Sequence, residues 1–288
     1  MKKQKTRQGG FPLAGSLKEK TGHLLSMLKD MKKAAVAFSG GTDSTLLAAA
    51  AFRVLGSNAA AVTVSSPTLP EAELEDAKKL AALLGISHVI LSVSELDLAD
   101  FVSNGKDRCY HCKKYRFEKL CLWAEENSIT WVLDGSNTDD LQDYRPGMKA
   151  ISELEGVRSP LLEAGMTKQD VRSLSREWGL PSWNKPAAAC LASRIAYGTP
   201  ITREALLQVE KAEEIVRAYC PSDTQVRVRH HGCLARIEAD PRIMKDLAAP
   251  ETAAAIYRAL SGLGFRFAAL DLAGYRMGSM NDLPADRR

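Results

Sequence analysis

The feature that most constrains the fold of this chain is a paired-glycine turn in the stretch AAVAFSGGTDSTLLAAAA. The apolar run Ala34–Phe38 before the turn is typical of a buried parallel strand, and Asp43–Leu55 after it has the pattern of a helix that ends at Gly56. Gly40 and Gly41 can adopt backbone angles closed to other residues, and they would place no Cβ in the path of a ligand. Strand, glycine turn and helix in this order predict a βα unit.

The same turn predicts an anion site. Free N–H groups at the start of a helix attract negative charge, and the hydroxyl groups of Ser39, Thr42, Ser44 and Thr45 flank them. We expect a phosphate there, although small residues that serve packing alone are the simpler alternative. The turn is not a Walker loop, because it contains no lysine and no G-x-x-x-x-G-K-[ST], and it lacks G-x-G-x-x-G.

Strand and helix patterns alternate through the first two thirds of the chain. The strand patterns are Ala59–Val64, His88–Val93 and Thr130–Leu133, and the helix patterns are Glu71–Leu84, Lys113–Asn127 and Thr167–Pro181. Such βα units form a doubly wound parallel sheet, so we predict an α/β domain over 21–200. Ligands bind at the carboxyl ends of such strands, where Ser39, Ser65 and Asp134 should lie.

The pattern changes after the turn Tyr197–Thr202. A helix pattern at Arg203–Tyr219 precedes the alternating strand TQVRVRHHGCLARIEA, a second helical region and the final strand FRFAALDL. We therefore predict a smaller α+β domain over 201–288. Arg227 and Arg229 alternate on the first of these strands, so they share one face and can grip a phosphate, with a solvent-facing strand as the alternative.

Composition fits a cytoplasmic enzyme that handles small anions. The 288 residues are 45% hydrophobic, enough for a sizeable core, and the net charge of +4 does not demand nucleic acid. No stretch is apolar enough to cross a membrane. The basic amino terminus is not followed by an apolar signal core, so we expect a flexible tail over 1–20 and a cytoplasmic location.

Cysteine usage is informative because the six cysteines carry no sign of a disulfide framework. Cys109 and Cys112 form a C-x-x-C, a spacing shared by zinc, redox and iron–sulfur sites, and Cys190 lies far away in a loop bounded by proline and glycine. Zinc would need a fourth protein ligand, for which His111 is the only local candidate. Three thiolates with one open position suit a [4Fe–4S] cluster, and three ordinary thiols remain the alternative. We interpret the other cysteines, Cys121, Cys220 and Cys233, as structural.

The pattern S-G-G-x-D-S resembles the PP-loop of the N-type ATP pyrophosphatases, which adenylate an acceptor and release pyrophosphate. That resemblance implies ATP as the ligand and Mg²⁺ bound through Asp43, the nearby carboxylate. The implied ATP-binding residues are Ser39, Gly40, Gly41, Thr42, Asp43, Ser44, Ser65, Asp134 and Gly135.

A second resemblance covers about Leu24 to Asn281. The stretches AFSGGTDSTL, DRCYHCKK, LDGSNTDDLQDYRPGMKA, WNKPAAACLASRIAYGT, VRVRHHGCLARIE and LDLAGYRMGSMN occur together in this order. They resemble the LarE family of ATP-dependent sulfur transferases. The resemblance implies that a carboxylate of pyridinium-3,5-biscarboxylic acid mononucleotide is adenylated and converted to a thiocarboxylate with release of AMP, in synthesis of the nickel-pincer cofactor of lactate racemase.

The resemblance also implies a source of sulfur. In one branch of the family a single cysteine gives up its own sulfur, and that cysteine falls at Ala189 here. Cys109, Cys112 and Cys190 instead resemble the branch that holds a [4Fe–4S] cluster, so sulfide or another sulfur donor is expected as a partner. A sacrificial cysteine remains the alternative.

Further residues follow from the chemistry and from the resemblance. Positive charge offsets the crowding of anions, with Lys106, Lys113, Arg145 and Arg194 as candidates. The family implies that Arg227 and Arg229, with Arg194, bind the substrate phosphate near a subunit contact, and hence a homo-oligomer. It also implies, weakly, a second cation site at Glu213, Glu238 and Asp246.

Three other classes of function compete with this interpretation. A cluster-dependent tRNA thiolase would usually carry RNA-binding modules and zinc motifs, which are not visible. An amidotransferring ligase would leave the thiols unexplained, and nothing here resembles a glutaminase. The third is a nucleotide-binding regulatory protein without turnover.

Overall fold

The computed structural model describes residues 15–142, 146–186 and 188–280, and these form two compact units. The first unit draws on residues up to 65, on 71–93 and on 113–188. The second draws on 66–70, on 94–112 and on the chain from 189 onward. Arg145 and the start of the predicted basic tail lie outside the described residues. Among the helices of the described part, none combines the length and the apolar character needed to span a membrane.

The first unit is built around a parallel sheet. Its strands are β1 (Ala34–Ala37), β2 (Ala59–Ser65), β3 (Ser87–Ser92), β4 (Trp131–Leu133) and β5 (Val157–Arg158). Its helices are α1 (Leu17–Met31), α2 (Thr42–Leu55), α3 (Glu71–Leu84), α6 (Pro146–Ser152), α7 (Pro160–Glu163) and α8 (Lys168–Glu177), with most of α5 (Arg108–Glu126). The strand order is β3-β2-β1-β4-β5 and every pairing is parallel.

Strand β1 shows that helices cover both faces of this sheet. Ala34 and Val36 pack in one apolar cluster with Leu24 of α1 and Leu46 of α2, while Ala35 packs in another that includes Phe117 of α5. Side chains alternate across a strand, so a strand buried on both faces is apolar at every position. The predicted doubly wound α/β sheet is confirmed.

Helix α1 begins inside the segment predicted to be a flexible tail. Ser16 caps it, since its Oγ accepts a hydrogen bond from the Glu19 N–H while the Glu19 carboxylate accepts from the Ser16 N–H. Leu24, Leu28 and Met31 bury one stripe of the helix in the core of the first unit.

The second unit contains a small mixed sheet. Its strands are β6 (Val226–His231), β7 (Leu234–Ala239) and β8 (Phe267–Leu270), in the order β6-β7-β8, and its helices are α4 (Ala99–Val102), α9 (Arg203–Arg217), α10 (Met244–Leu247) and α11 (Pro250–Gly262). The single strand predicted for TQVRVRHHGCLARIEA is wrong, because β6 and β7 form an antiparallel hairpin. Gly232 makes the turn with a φ of 65°, in the left-handed region that favours glycine. Strands β7 and β8 are parallel and joined through α10 and α11.

Candidate functional site

In the glycine turn of the first unit, the backbone of the turn passes close to the backbone of a neighbouring helix. Gly40 has a φ of 68°, and a Cβ there would lie 3.1 Å from the Cα of Ala77 in α3. Gly41 is the N-cap of α2 and offers no side chain to the first N–H groups of that helix. A long helix with an N-terminus left open in this way is suited to bind an anion.

The serines of the turn contact one another across it. The Oγ atoms of Ser39 and Ser44 are 3.1 Å apart, and the Gly41 N–H donates to Ser39 Oγ at 3.3 Å. The Ser39 N–H donates in turn to Ser44 Oγ at 3.3 Å. These bonds fix the positions of the hydroxyl and N–H groups that the loop presents.

The turn lies where the strand order reverses. The chain places β2 and β3 on one side of β1 and β4 and β5 on the other, and a ligand of an open α/β sheet binds at such a switch point. Gly135 follows β4, and a Cβ there would lie 3.3 Å from the Ser44 N–H nitrogen. Ser65 ends β2, and its carbonyl accepts from the Val93 N–H at 2.9 Å. The predicted ATP-binding residues thus come from the ends of adjacent strands.

Asp134 is engaged by protein groups. This buried carboxylate lies 3.2 Å from Lys113 Nζ through Oδ1, and its Oδ2 accepts from the Ser136 N–H at 3.0 Å and from the Ser136 hydroxyl. Lys113, a predicted basic residue of the site, therefore neutralises Asp134 in this structure. Asp134 shapes the end of β4, and contact with ATP stays a prediction.

Asp43 has partners that the sequence did not indicate. Its Oδ1 accepts from Asn137 Nδ2 at 3.2 Å, and its Oδ2 forms a short ion pair with Lys168 Nζ. Both partners lie far along the chain, so no spacing rule finds them. The loop that contains no lysine therefore receives one from the first turn of α8.

The three predicted cluster ligands all lie in the second unit. Cys109 is exposed one helical turn before Cys112 in α5, and Cys112 Sγ donates to Glu95 Oε1 at 3.7 Å. Cys112 and Cys190 pack against the same apolar cluster, which contains Phe101. None of these cysteines forms a disulfide.

A polar clamp fastens the two cysteine segments together. Asn104 Nδ2 donates to the carbonyls of Ala196 and Thr199, both at 2.8 Å. The buried Arg108 donates through Nη1 to Asn104 Oδ1 and to the Ala192 carbonyl, the latter at 3.1 Å. The start of α5 is thus tied to the loop that follows Cys190.

The three thiols differ from an assembled metal centre in their arrangement. Free thiols within one unit, two of them a helical turn apart, fit the chemistry of an iron–sulfur cluster. Within residues 15–142, 146–186 and 188–280, however, no three His, Cys, Asp or Glu side chains converge as metal ligands. His111, the candidate for a zinc site, has its ring nitrogens 3.7 Å and 3.1 Å from the carboxylates of Asp100 and Asp107.

The predicted substrate arginines are buried rather than solvent-facing. Arg194 forms a two-point pair with Glu213, through Nε at 2.8 Å and Nη2 at 3.2 Å, and its Nη1 donates to the Ala189 and Cys190 carbonyls. Arg229 pairs with Glu238 through Nε at 3.0 Å and Nη2 at 2.7 Å. These guanidinium groups are held by protein carboxylates, which a motif alone does not reveal.

Arg227 differs from Arg229. It stacks on Tyr275, and among the described residues no carboxylate lies within ion-pair distance of it. Burial lowers the pKa of Arg227, and the positive charge of Arg194 lowers it further. A buried cation of this kind is the better candidate for a phosphate ligand.

The three carboxylates predicted as a second cation site differ in their surroundings. Glu213 and Glu238 each pair with an arginine, and Asp246 is exposed. Within the described part of the chain no three His, Cys, Asp or Glu side chains converge as metal ligands, and a cation at these carboxylates stays a prediction.

Lys106 and the three cysteines outside the predicted cluster differ in exposure. Lys106 is exposed in the second unit. Cys121 and Cys220 are half-buried, and burial raises the pKa of both thiols. Cys233 is exposed at the turn between β6 and β7, so packing does not explain it.

An open parallel sheet with a glycine turn at its switch point defines an α/β nucleotide-binding protein of the PP-loop type. A family model described as asparagine synthase matches residues 26–114. The chain is 40% identical over 268 residues to the pyridinium-3,5-bisthiocarboxylic acid mononucleotide synthase of Lactiplantibacillus plantarum, covering 93% of this chain and 95% of that protein. The chain belongs to the LarE family of ATP-dependent sulfurtransferases.

Two further relatives are uncharacterized proteins. One, from a Synechocystis strain, is 40% identical over 265 residues, which is 92% of this chain and 98% of that protein. The other, from Methanocaldococcus jannaschii, is 29% identical over 245 residues, or 85% of this chain and 91% of that protein. The similarity therefore spans both compact units.

Proposed function

We propose that this enzyme converts a carboxylate of pyridinium-3,5-biscarboxylic acid mononucleotide into a thiocarboxylate, in synthesis of the nickel-pincer nucleotide cofactor of lactate racemase. The observation that carries the proposal is the similarity along nearly the whole chain to a relative named as the bisthiocarboxylic acid mononucleotide synthase. The PP-loop geometry supports the first half of the reaction. The reaction also agrees with the free thiols of the second unit.

The first step is adenylation. A carboxylate at neutral pH is a poor acyl donor, so its oxygen attacks the α-phosphorus of ATP and the bond to the bridging oxygen breaks, which releases pyrophosphate. The open start of α2 and the Ser39 and Ser44 hydroxyls bind phosphate oxygens, and Asp43 binds the Mg²⁺ that accompanies ATP. Fixed donors of this kind stabilise charge that develops in the transition state.

The second step exchanges oxygen for sulfur. Sulfide attacks the acyl carbon, the bond from that carbon to the AMP oxygen breaks, and AMP leaves as the thiocarboxylate forms. We propose that Cys109, Cys112 and Cys190 would hold a [4Fe–4S] cluster, which would supply the iron that binds sulfide. The clamp of Asn104 and Arg108 holds the two cysteine segments in place.

Substrate binding falls to the second unit in this proposal. Arg227 binds the phosphate of the mononucleotide, because its guanidinium is buried beside Tyr275 without a carboxylate partner in the described chain. Arg229 and Arg194 hold Glu238 and Glu213, so they support the surrounding structure. A homo-oligomer and a cytoplasmic location complete the proposal.

The test is a full turnover assay under anaerobic conditions. The purified protein is incubated with Mg²⁺, ATP, the biscarboxylate mononucleotide and sulfide, and pyrophosphate, AMP and the mass of the mononucleotide product are followed. We expect one pyrophosphate and one AMP for each oxygen replaced by sulfur. Asp43→Ala should reduce pyrophosphate release by about 10²–10³-fold, the usual cost of one lost charge-stabilising group. Asp246→Ala, which removes an exposed carboxylate, is the matched control.

Other results would reject the proposal. Pyrophosphate release with a tRNA substrate but not with the mononucleotide would identify a tRNA thiolase. Tight binding of ATP without any release of pyrophosphate would identify a nucleotide-binding protein without turnover.

A further inference from the structure

The PP-loop of this chain contains no positively charged side chain to balance the phosphates of ATP. Residues 38–45 contain no lysine or arginine, and Asp43 adds a negative charge where a triphosphate should bind. When the bond at the α-phosphorus breaks, the departing pyrophosphate gains further negative charge. Enzymes that transfer phosphorus groups place fixed cations against such charge.

Lys168 places a positive charge beside Asp43 of the PP-loop. Its Nζ forms the short ion pair with Asp43 Oδ2, although the two residues are far apart in sequence. Lys168 is the first residue of α8, a position where the helix dipole disfavours a positive side chain. The helix itself therefore gives no reason for a lysine here.

Contacts other than the ion pair fix the position of Lys168. The Lys168 N–H donates to Asp139 Oδ2 at 3.1 Å. The N–H and the hydroxyl of Thr138 both donate to the Met166 carbonyl, at 2.9 Å and 3.0 Å. The chain before α8 is thus fastened to the segment that contains Asn137, the other partner of Asp43.

The α8 helix does not depend on Lys168 for its start. Thr167 and Asp170 form a capping box, with hydrogen bonds of 3.1 Å and 3.0 Å between side chains and N–H groups. The Lys168 and Asp43 side chains keep 31% and 25% of their surface exposed, so a ligand can reach both.

We propose that Lys168 is a catalytic residue of the adenylation step, which rests on the proposed function. Without nucleotide, Lys168 and Asp43 neutralise each other. When ATP binds, Lys168 Nζ leaves Asp43 and binds the phosphate oxygens of the leaving pyrophosphate, and Asp43 would hold the Mg²⁺ that accompanies the nucleotide. As the carboxylate oxygen of the substrate bonds to the α-phosphorus, the electron pair of the broken bond passes to the pyrophosphate, whose new charge faces Lys168.

The test compares two lysines that each form an ion pair involving helix α8. Lys168→Met removes the cation at the loop, whereas Lys20→Met removes the 2.6 Å ion pair of Lys20 with Asp170 in α8. Binding of inorganic pyrophosphate with Mg²⁺ is measured by calorimetry, and pyrophosphate release is measured in the turnover assay. We expect Lys168→Met to weaken pyrophosphate binding at least tenfold and to lower kcat about a hundredfold, with the Lys20→Met variant near wild type. Lys168→Arg should restore part of both.

The two readouts separate this inference from the proposed function. Equal pyrophosphate affinity in the wild type and Lys168→Met, or no binding to the wild type, would overturn the role of Lys168. A thermal melting shift in Lys168→Met with unchanged kcat and affinity would show a structural role instead. A wild type that binds pyrophosphate through Lys168 but does not act on the mononucleotide would reject the proposed substrate alone.

Discussion

The PP-loop in the first unit and the arginine-rich face of β6 in the second unit both present polar groups suited to phosphate, but they are built differently. In the loop, six consecutive residues from Ser39 to Ser44 supply hydroxyl and N–H groups, and no side chain caps the helix start. On β6, Arg229 is buried against Glu238, a side chain with no exposed surface. A local motif can define an anion site. A pair of arginines in a sequence cannot, because carboxylates from distant segments determine which arginine is already in an ion pair.

The largest effect is expected from the cysteines of the second unit, whose loss should stop sulfur transfer and leave adenylation intact. Cys109→Ala, Cys112→Ala or Cys190→Ala should each abolish bound iron, the visible absorbance and thiolated product, because three thiolates are the minimum to hold the cluster. Pyrophosphate release should remain, since the PP-loop lies in the other unit. Anaerobic iron and sulfide analysis, absorbance and product mass provide the measurements.

Cys220→Ala is the control for the cysteine variants, because Cys220 packs against a separate apolar cluster. Intact protein mass before and after turnover decides against a sacrificial cysteine if it is unchanged. A loss of H₂S mapped to Cys190 would contradict the cluster, as would full iron content in any of the three variants.

The second prediction concerns the two arginines of β6. Arg229→Met should lower the free energy of unfolding by about 3 kcal/mol, because it leaves the buried Glu238 with one fewer cation. Arg227→Met should cost about 1 kcal/mol or less but weaken mononucleotide binding. Urea unfolding and equilibrium binding measure the two effects. Equal destabilisation by both variants, or no effect of Arg227→Met on binding, would remove the distinction between these arginines.

The smallest effect is expected from pH. Burial lowers the pKa of His230, whose Nδ1 accepts from the Gly232 N–H at 3.3 Å. Below the ordinary value of 6.5 the unfolded chain takes up the proton first, so the free energy of unfolding should fall as the pH falls. Urea unfolding between pH 7 and pH 5 measures this slope, and His230→Gln should flatten it. An unchanged slope in that variant would assign the pH dependence to other groups.

The sequence predicted the sheet well because its signals are local. The helix over 71–84 was predicted with its observed bounds, and α2 ends at Gly56 as expected. The hairpin of β6 and β7 was missed because alternation continues through His231 into Leu234, and only the backbone of Gly232 breaks it. Strand β5 has two residues, too few for any periodic pattern.

The candidate site was predictable only in part. The glycines and hydroxyls of the loop form a contiguous motif, and Gly135 follows a predicted strand. Lys168, Asn137 and the Glu95 partner of Cys112 were not predicted, because each contact joins distant segments through tertiary structure. The same reason explains why the carboxylate partners of Arg194 and Arg229 were missed.

The alanine-rich packing beneath the loop has a geometric consequence. Strand β1 and helix α2 pack in one apolar cluster, and four of its members from these two elements are alanines: Ala34, Ala48, Ala50 and Ala51. Small side chains in this layer set the distance between α2 and the sheet, and a single added methylene group would increase it. The same distance sets the position of the N–H groups at the helix start. The dimensions of the nucleotide cradle are thus fixed by side-chain volumes in the layer below it, and a designer could widen it without altering a residue of the loop.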